Sequence, residues 1–199
     1  MKKTYTTKFL FFIPVLVLLL FGACKRKHAD VALPSQPDAK PENSKIVIKR
    51  YEKALFSLDK RNLRQGMELL SKDYSFFLGD QWQDTMNILR IYNFLNDKNI
   101  QELYGLTMSK YPDVLFLEER LTDAFDRFRQ SYPEKTVPQV FTYVSGLDIE
   151  NPVYYYDTAM AIGLDIFLGS DVVAYQKAGL PKYKINRFTK DNMLPQCMM

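Results

Sequence analysis

The sequence predicts an α+β protein, a helical N-terminal part followed by a small antiparallel sheet, in a folded body spanning residues 46–199. Three observations carry that expectation. Between Leu63 and Tyr132 the apolar residues recur at helical steps of three and four. From Val137 to Leu147 the stretch VPQVFTYVSGL has the valine, phenylalanine, threonine and tyrosine content of a strand. After Val153, aliphatic residues alternate with small ones at the strand period. Helices first and strands afterwards is the chain order of α+β domains.

Ahead of that body, residues 1–23 read as a signal peptide. Met1 to Lys8 carries Lys2, Lys3 and Lys8 and no acid, Phe9 to Phe21 is an apolar run of 13 residues containing Pro14, and small Gly22 and Ala23 precede Cys24. A membrane span takes about 20 apolar residues, whereas a basic front, a shorter apolar run and small residues at the end make a secretory leader. The stretch LFGAC resembles the lipobox of bacterial lipoproteins, with Phe21 where leucine is usual. That resemblance implies a diacylglyceryl group on the Cys24 thiol and cleavage just ahead of it. Each buried CH₂ contributes about 0.8 kcal/mol, so one acyl chain holds marginally and two or more hold firmly. Cys24 is thus the expected lipidation site, a palmitate-bearing membrane anchor. A disulfide to Cys197, the other cysteine, is the rival use of the thiol, and acylation would leave Cys197 free or buried.

Residues 24–45 read as a lipid-anchored linker. KRKH after the cysteine suits a charged leaflet, and Pro34, Pro37 and Pro41 among polar residues make an extended stalk rather than a core. The chain has 27 basic and 23 acidic residues, but removing the leader leaves 24 against 23. So balanced a body lacks the basic footprint of a nucleic-acid binder.

Within the body, Ile46, Ile48 and Arg50 alternate as a short strand, and Asp59 is a plausible cap. Leu63, Met67, Leu70, Tyr74 and Phe77 then predict a helix. Ile88, Leu89, Tyr92 and Leu95 predict a second over Asp84–Asn96, and a shorter one covers Asn99–Lys110. The clearest helix is Val114–Tyr132, with Leu117, Leu121, Ala124, Phe125 and Phe128 inward, Glu118, Glu119, Asp126, Arg127 and Arg129 outward, and Pro133 at its end. Within Val153–Asp171, Ala159, Ala161, Gly163, Asp165 and Phe167 fall on one side of a strand, and Met160, Ile162, Leu164, Ile166 and Leu168 on the other. The short connection from the Val137 strand favours an antiparallel hairpin.

No catalytic residue, cofactor or metal ligand is assigned. Asp157, Asp165 and Asp171 are spaced so that a metal cluster is conceivable, but Asp165 fits better as solvated or paired with a backbone amide or a basic residue. A zinc-protease motif needs two histidines four apart with a glutamate between. The single histidine, His28, lies in the linker. Phosphate loops, dinucleotide fingerprints and hydrolase serines are equally missing from residues 1–199.

The leader together with IVIKRYEKALFSLD, VPQVFTYVSGL and above all IGLDIFLGSDVVAYQKAGLPKYKINRF resembles the gliding-motility lipoprotein GldB family of Bacteroidota, from Ile46 onward. The resemblance implies a lipid-anchored cell-envelope protein required for gliding, a non-catalytic component or partner of the gliding and type IX secretion apparatus. It also implies a fold distantly like that of zinc peptidases without their metal site. The missing acidic run after Cys24 implies a periplasm-facing position. Family members extend further, so the ending TKDNMLPQCMM reads as a C-terminally incomplete domain that exposes Met193, Leu194, Met198 and Met199. The alternative function is an envelope hydrolase of metallopeptidase ancestry whose ligands lie beyond Met199. A third is a lipoprotein taking a small ligand or glycan in a cleft lined by tyrosines. Tyr154 to Tyr156 and Trp82 are candidate contact points for protein partners, with core packing the plainer role.

Overall fold

The computed structural model describes residues 45–199; the leader, Cys24 and the rest of the linker lie outside the described residues. The body opens with an extended segment whose alternation is the one expected, Ile46 and Ile48 buried and Val47 exposed. Its amides are satisfied from the side: Ile46 N–H donates to Thr122 Oγ1 and Ile48 N–H to Glu118 Oε1, each at 2.9 Å. It ends in the short strand β1 (Lys49–Arg50) and passes directly into helix α1 (Tyr51–Phe56).

The helices α2 (Leu63–Leu78), α3 (Thr85–Asn96), α4 (Lys98–Lys110) and α5 (Leu115–Ser131) follow the predicted spans within a few residues. Aspartates start several of these elements. Asp59 caps the 3₁₀ turn ahead of α2, Asp84 accepts from Met86 N–H at the start of α3, and Asp97 accepts from Asn99 and Ile100 N–H at the start of α4. On α5, Leu117, Leu121, Ala124 and Phe125 are buried as expected. On α3 the expected face is only partly right: Leu95 is buried, whereas Leu89 and Tyr92 are exposed.

The sheet departs from expectation. Its strands are β1, β2 (Gln139–Tyr143), β3 (Val153–Tyr156) and β4 (Ala159–Gly163), in the order β1-β2-β4-β3. It is mixed rather than antiparallel: β1 pairs parallel with β2, β2 pairs parallel with β4, and only β3 runs antiparallel to β4. The hairpin expected between the Val137 and Val153 segments is therefore corrected. The tight hairpin lies inside the second segment, where the chain turns at Asp157–Thr158 between β3 and β4. Asp157 has φ 49° there, a left-handed conformation that aspartate tolerates better than most residues. Nor do the helices all come first, since β1 precedes them and α6 (Val173–Lys177), α7 (Lys182–Ile185) and α8 (Lys190–Cys197) follow the sheet.

Both faces of the sheet are covered, and side-chain alternation divides the core. Val140, Met160 and Ile162 face the main core with Leu117, Leu121 and Phe125 of α5 and Met193 and Cys197 of α8. Phe141, Ala159 and Ala161 face the other way, against Tyr74, Phe76 and Phe77 of α2. The two alanines leave room for that aromatic layer; Phe76 stacks on Phe141 with ring centroids 5.8 Å apart. The predicted ladder stops at Gly163. Leu164–Ile166 form a 3₁₀ turn, so Leu164, Ile166 and Phe167 all enter the main core. Met193, expected at the surface, is fully buried, while Met198 and Met199 are exposed. Among the described residues no helix is long and apolar enough to cross a membrane.

Candidate functional site

The parallel strands β1, β2 and β4 all end on one side of the sheet. Two residues past each end stands a polar group: Glu52 after β1, Ser145 after β2 and Asp165 after β4. Loops leave the ladder at these carboxyl ends, so their groups are free to converge, and open parallel sheets place binding crevices there.

Asp165 is fully buried. Its carboxylate accepts hydrogen bonds from Ser145 N–H (2.8 Å), Ser145 Oγ (3.0 Å) and Leu147 N–H (2.9 Å). The loop it holds is bent by consecutive left-handed residues, Gly146 (φ 74°) and Leu147 (φ 68°). Leucine adopts that conformation at a cost of about 1–2 kcal/mol, which the carboxylate helps to offset. Burial pushes the Asp165 carboxyl above its usual range, opposed by the donors from Ser145 and Leu147. On its other side the Asp165 carbonyl accepts from Tyr175 Oη (2.8 Å), and Tyr175 Oη accepts from Leu168 N–H (2.9 Å). Of the two environments expected for Asp165, solvent is thus excluded and pairing with backbone amides is found.

Glu52 is also fully buried. Arg50 Nε donates to its Oε1, and Thr142 Oγ1 donates to Oε2 at 2.9 Å. Arg50 Nη2 also donates to the Tyr111 carbonyl at 2.9 Å, just past the C-terminus of α4, where a cation is favoured. A single ion pair therefore fastens β1 to β2 and to the end of α4.

A cavity of about 240 Å³ opens beside these groups, between α1, α2, α3 and the end of β2. Its walls include Tyr51, Glu52, Phe56, Phe77, Phe94 and Tyr143. Tyr51 and Phe77 stack at 4.0 Å, Phe77 and Tyr143 lie 5.6 Å apart, and Phe56 meets Phe94 edge-on. Burial, with Asp165 and Asp148 adding to it, pushes the Tyr143 hydroxyl up to about 12, so it stays protonated.

The three aspartates singled out in the sequence do not meet: Asp157 and Asp171 are exposed, and Asp165 is buried in its loop. Among the described residues no group of three or more histidine, cysteine, aspartate or glutamate side chains is placed to hold a metal ion. Tyr154, Tyr155 and Tyr156 are exposed on β3, and Trp82 packs partly against the α1–α2 core. The expected lipidation site, Cys24, and His28 lie outside the described residues. Arg50, Glu52 and Ser145 carry no local sign of this role in the sequence, because each gains it from a partner far along the chain.

Cys197 is free and buried, and burial pushes its thiol up to about 12. The folded chain therefore keeps this proton where an unfolded cysteine loses it. The stability tied to the thiol is complete below about pH 8.5 and is lost as the pH rises through the higher folded value. At about pH 8 a thiol reagent should leave Cys197 unmodified in the native chain and label it on unfolding. Prompt native labelling, located by peptide mapping, would contradict this burial.

The model of a protein family that is named as a lipoprotein group and described as Gliding motility protein GldB matches residues 33–199. No curated protein and no solved structure matches the chain.

Proposed function

The chain belongs to the GldB family of gliding motility proteins, and from that premise we propose that it serves gliding as a lipid-anchored, non-catalytic component of the gliding and type IX secretion apparatus. The family gives a role related to gliding motility; the anchor is carried by one observation, the apolar run that closes on Gly22, Ala23 and Cys24. Acyl chains on Cys24 fix one end in a membrane, the proline-rich stalk provides reach, and the body of residues 46–199 faces the periplasm and engages partners. Confining partners to one membrane surface raises their effective concentration without any new contact.

A non-catalytic role is supported by the commitment of the two buried carboxylates, Glu52 to Arg50 and Thr142 and Asp165 to its loop. The hydrolase alternative, with ligands beyond Met199, has no observation in its favour among the described residues.

Cys24→Ala should release the protein from membranes, abolish palmitate incorporation and stop gliding in cells that carry only this variant. Membrane fractionation with labelled palmitate and a motility assay check it. A native protein that stays in the membrane with no label at Cys24 would overturn the anchor.

A further inference from the structure

Strand β3 forms one edge of the sheet and pairs only with β4. Gly163 N–H donates to the Pro152 carbonyl at 2.9 Å, and bonded pairs alternate along an antiparallel ladder. In the register of β3 on β4, Tyr154 and Tyr156 therefore turn their backbone groups inward, and Val153 and Tyr155 turn theirs outward. Among the described residues nothing bonds to the outward N–H and C=O groups of Val153 and Tyr155. Such a row is a template for one more strand, and within Val153–Tyr156 no lysine or proline blunts it. Beside the edge lies a groove of about 380 Å³ walled by Phe125, Phe128, Pro138, Tyr155 and Met198. A residue set opposite Tyr155 on an added strand points to the same face as Tyr155, toward this groove. Asp157 is the only charged side chain on the walls; it is exposed and makes no ion pair among the described residues. A second copy of the chain suits the edge poorly. Antiparallel pairing centred on Tyr154, which engages both outward residues, sets Asp157 of each copy opposite Asn151 and next to Glu150 of the other, acid beside acid.

We infer that β3 takes up an extended segment of a partner protein as a fifth strand, with an apolar side chain of that segment in the groove and a lysine or arginine on Asp157. The backbone bonds give affinity whatever the sequence, while the groove and the carboxylate select the side chains. This mode rests on the reading that the body engages partners, but not on the anchor at Cys24, so either can fail without the other.

The test uses the full chain in lipid nanodiscs. Residue-resolved amide hydrogen exchange should show Tyr154 and Tyr156 protected and Val153 and Tyr155 open. Protection of Val153 and Tyr155 in the free protein would overturn the proposal, giving the edge to the chain's own linker if dilution leaves it unchanged and to a second copy if dilution removes it. The probe is a library of synthetic eight-residue peptides. Its binders should share apolar residues at alternate positions with a lysine or arginine, and the tightest of them should protect Val153 and Tyr155 at saturation. Tyr155→Pro, which removes one outward N–H and no bond to β4, should weaken that peptide about fivefold more than Tyr155→Ala, the loss of one net hydrogen bond. Should the proline variant not fold, methylating alternate amide nitrogens of the peptide tests the same bonds. Asp157→Asn, tolerated at φ 49°, should weaken the basic peptide about threefold, within the range of an exposed ion pair. The same peptide with norleucine for its basic residue should bind both forms equally. A library without binders, or a best binder that ignores the loss of the backbone N–H groups or of the Asp157 charge, would overturn the site.

Discussion

Asp165→Ala should destabilise the folded chain by about 2–6 kcal/mol, because a buried donor without an acceptor costs about 1–3 kcal/mol and two backbone N–H groups lose theirs. Those are the amides of Ser145 and Leu147, and the Ser145 hydroxyl loses its acceptor as well. Leu147 at φ 68° would also lose the group that secures its bend. Asp165→Asn should cost roughly half as much, since its amide oxygen still accepts while its NH₂ faces a donor. Urea unfolding followed by circular dichroism measures both, with the slope expected to hold while the midpoint falls. A loss below about 1 kcal/mol for the alanine variant would show that the loop does not depend on this carboxylate.

Removing one half of the Arg50–Glu52 pair should be nearly as damaging. Glu52 is fully buried and the Arg50 side chain only 12% exposed, so either Arg50→Ala or Glu52→Ala strands a charge where water does not reach it. Breaking such a pair costs about 3–5 kcal/mol, whereas replacing both partners by apolar groups is often close to neutral. The combined Arg50→Met, Glu52→Leu variant is accordingly expected to be more stable than either single alanine variant. A double-mutant cycle checks this. Costs that simply add would mean the two side chains are solvated independently and the ion pair is not what fastens β1 to its neighbours.

Legibility in the sequence followed the range of the interaction. Helix α5 was readable because Leu117, Leu121, Ala124 and Phe125 all serve one local face, while Glu119, Arg120 and Asp123 between them are exposed. On α3 the same rule overreached: the helix covers little more than its own neighbours, so Leu89 and Tyr92 remain in solvent although their spacing is helical. The strands were found, but their directions were not. Asp157–Thr158 carries no glycine or proline to mark a turn, so β3 and β4 read as a single strand. Parallel pairing of β2 with β4 depends on β3 passing to the far edge, which no local pattern records. The polar groups at the strand ends show the same limit, since Asp165 meets Ser145 across 20 residues and Glu52 meets Thr142 across 90.

The strand order also dictates a timetable for folding. Lys49 is matched to Phe141, and the interior strand β4 ends only at Gly163. A chain threaded N-terminus first from a ribosome or a translocation channel can form α2 to α5 early, because their contacts are short in sequence. It has no complete sheet to dock them on until the stretch through Gly163 has emerged, and closing so long a loop is slow. Until then the faces of Phe76 and Leu121 that pack on the sheet lack their partners, so this interval is when the newborn protein is most exposed to sticking and most in need of a holding chaperone.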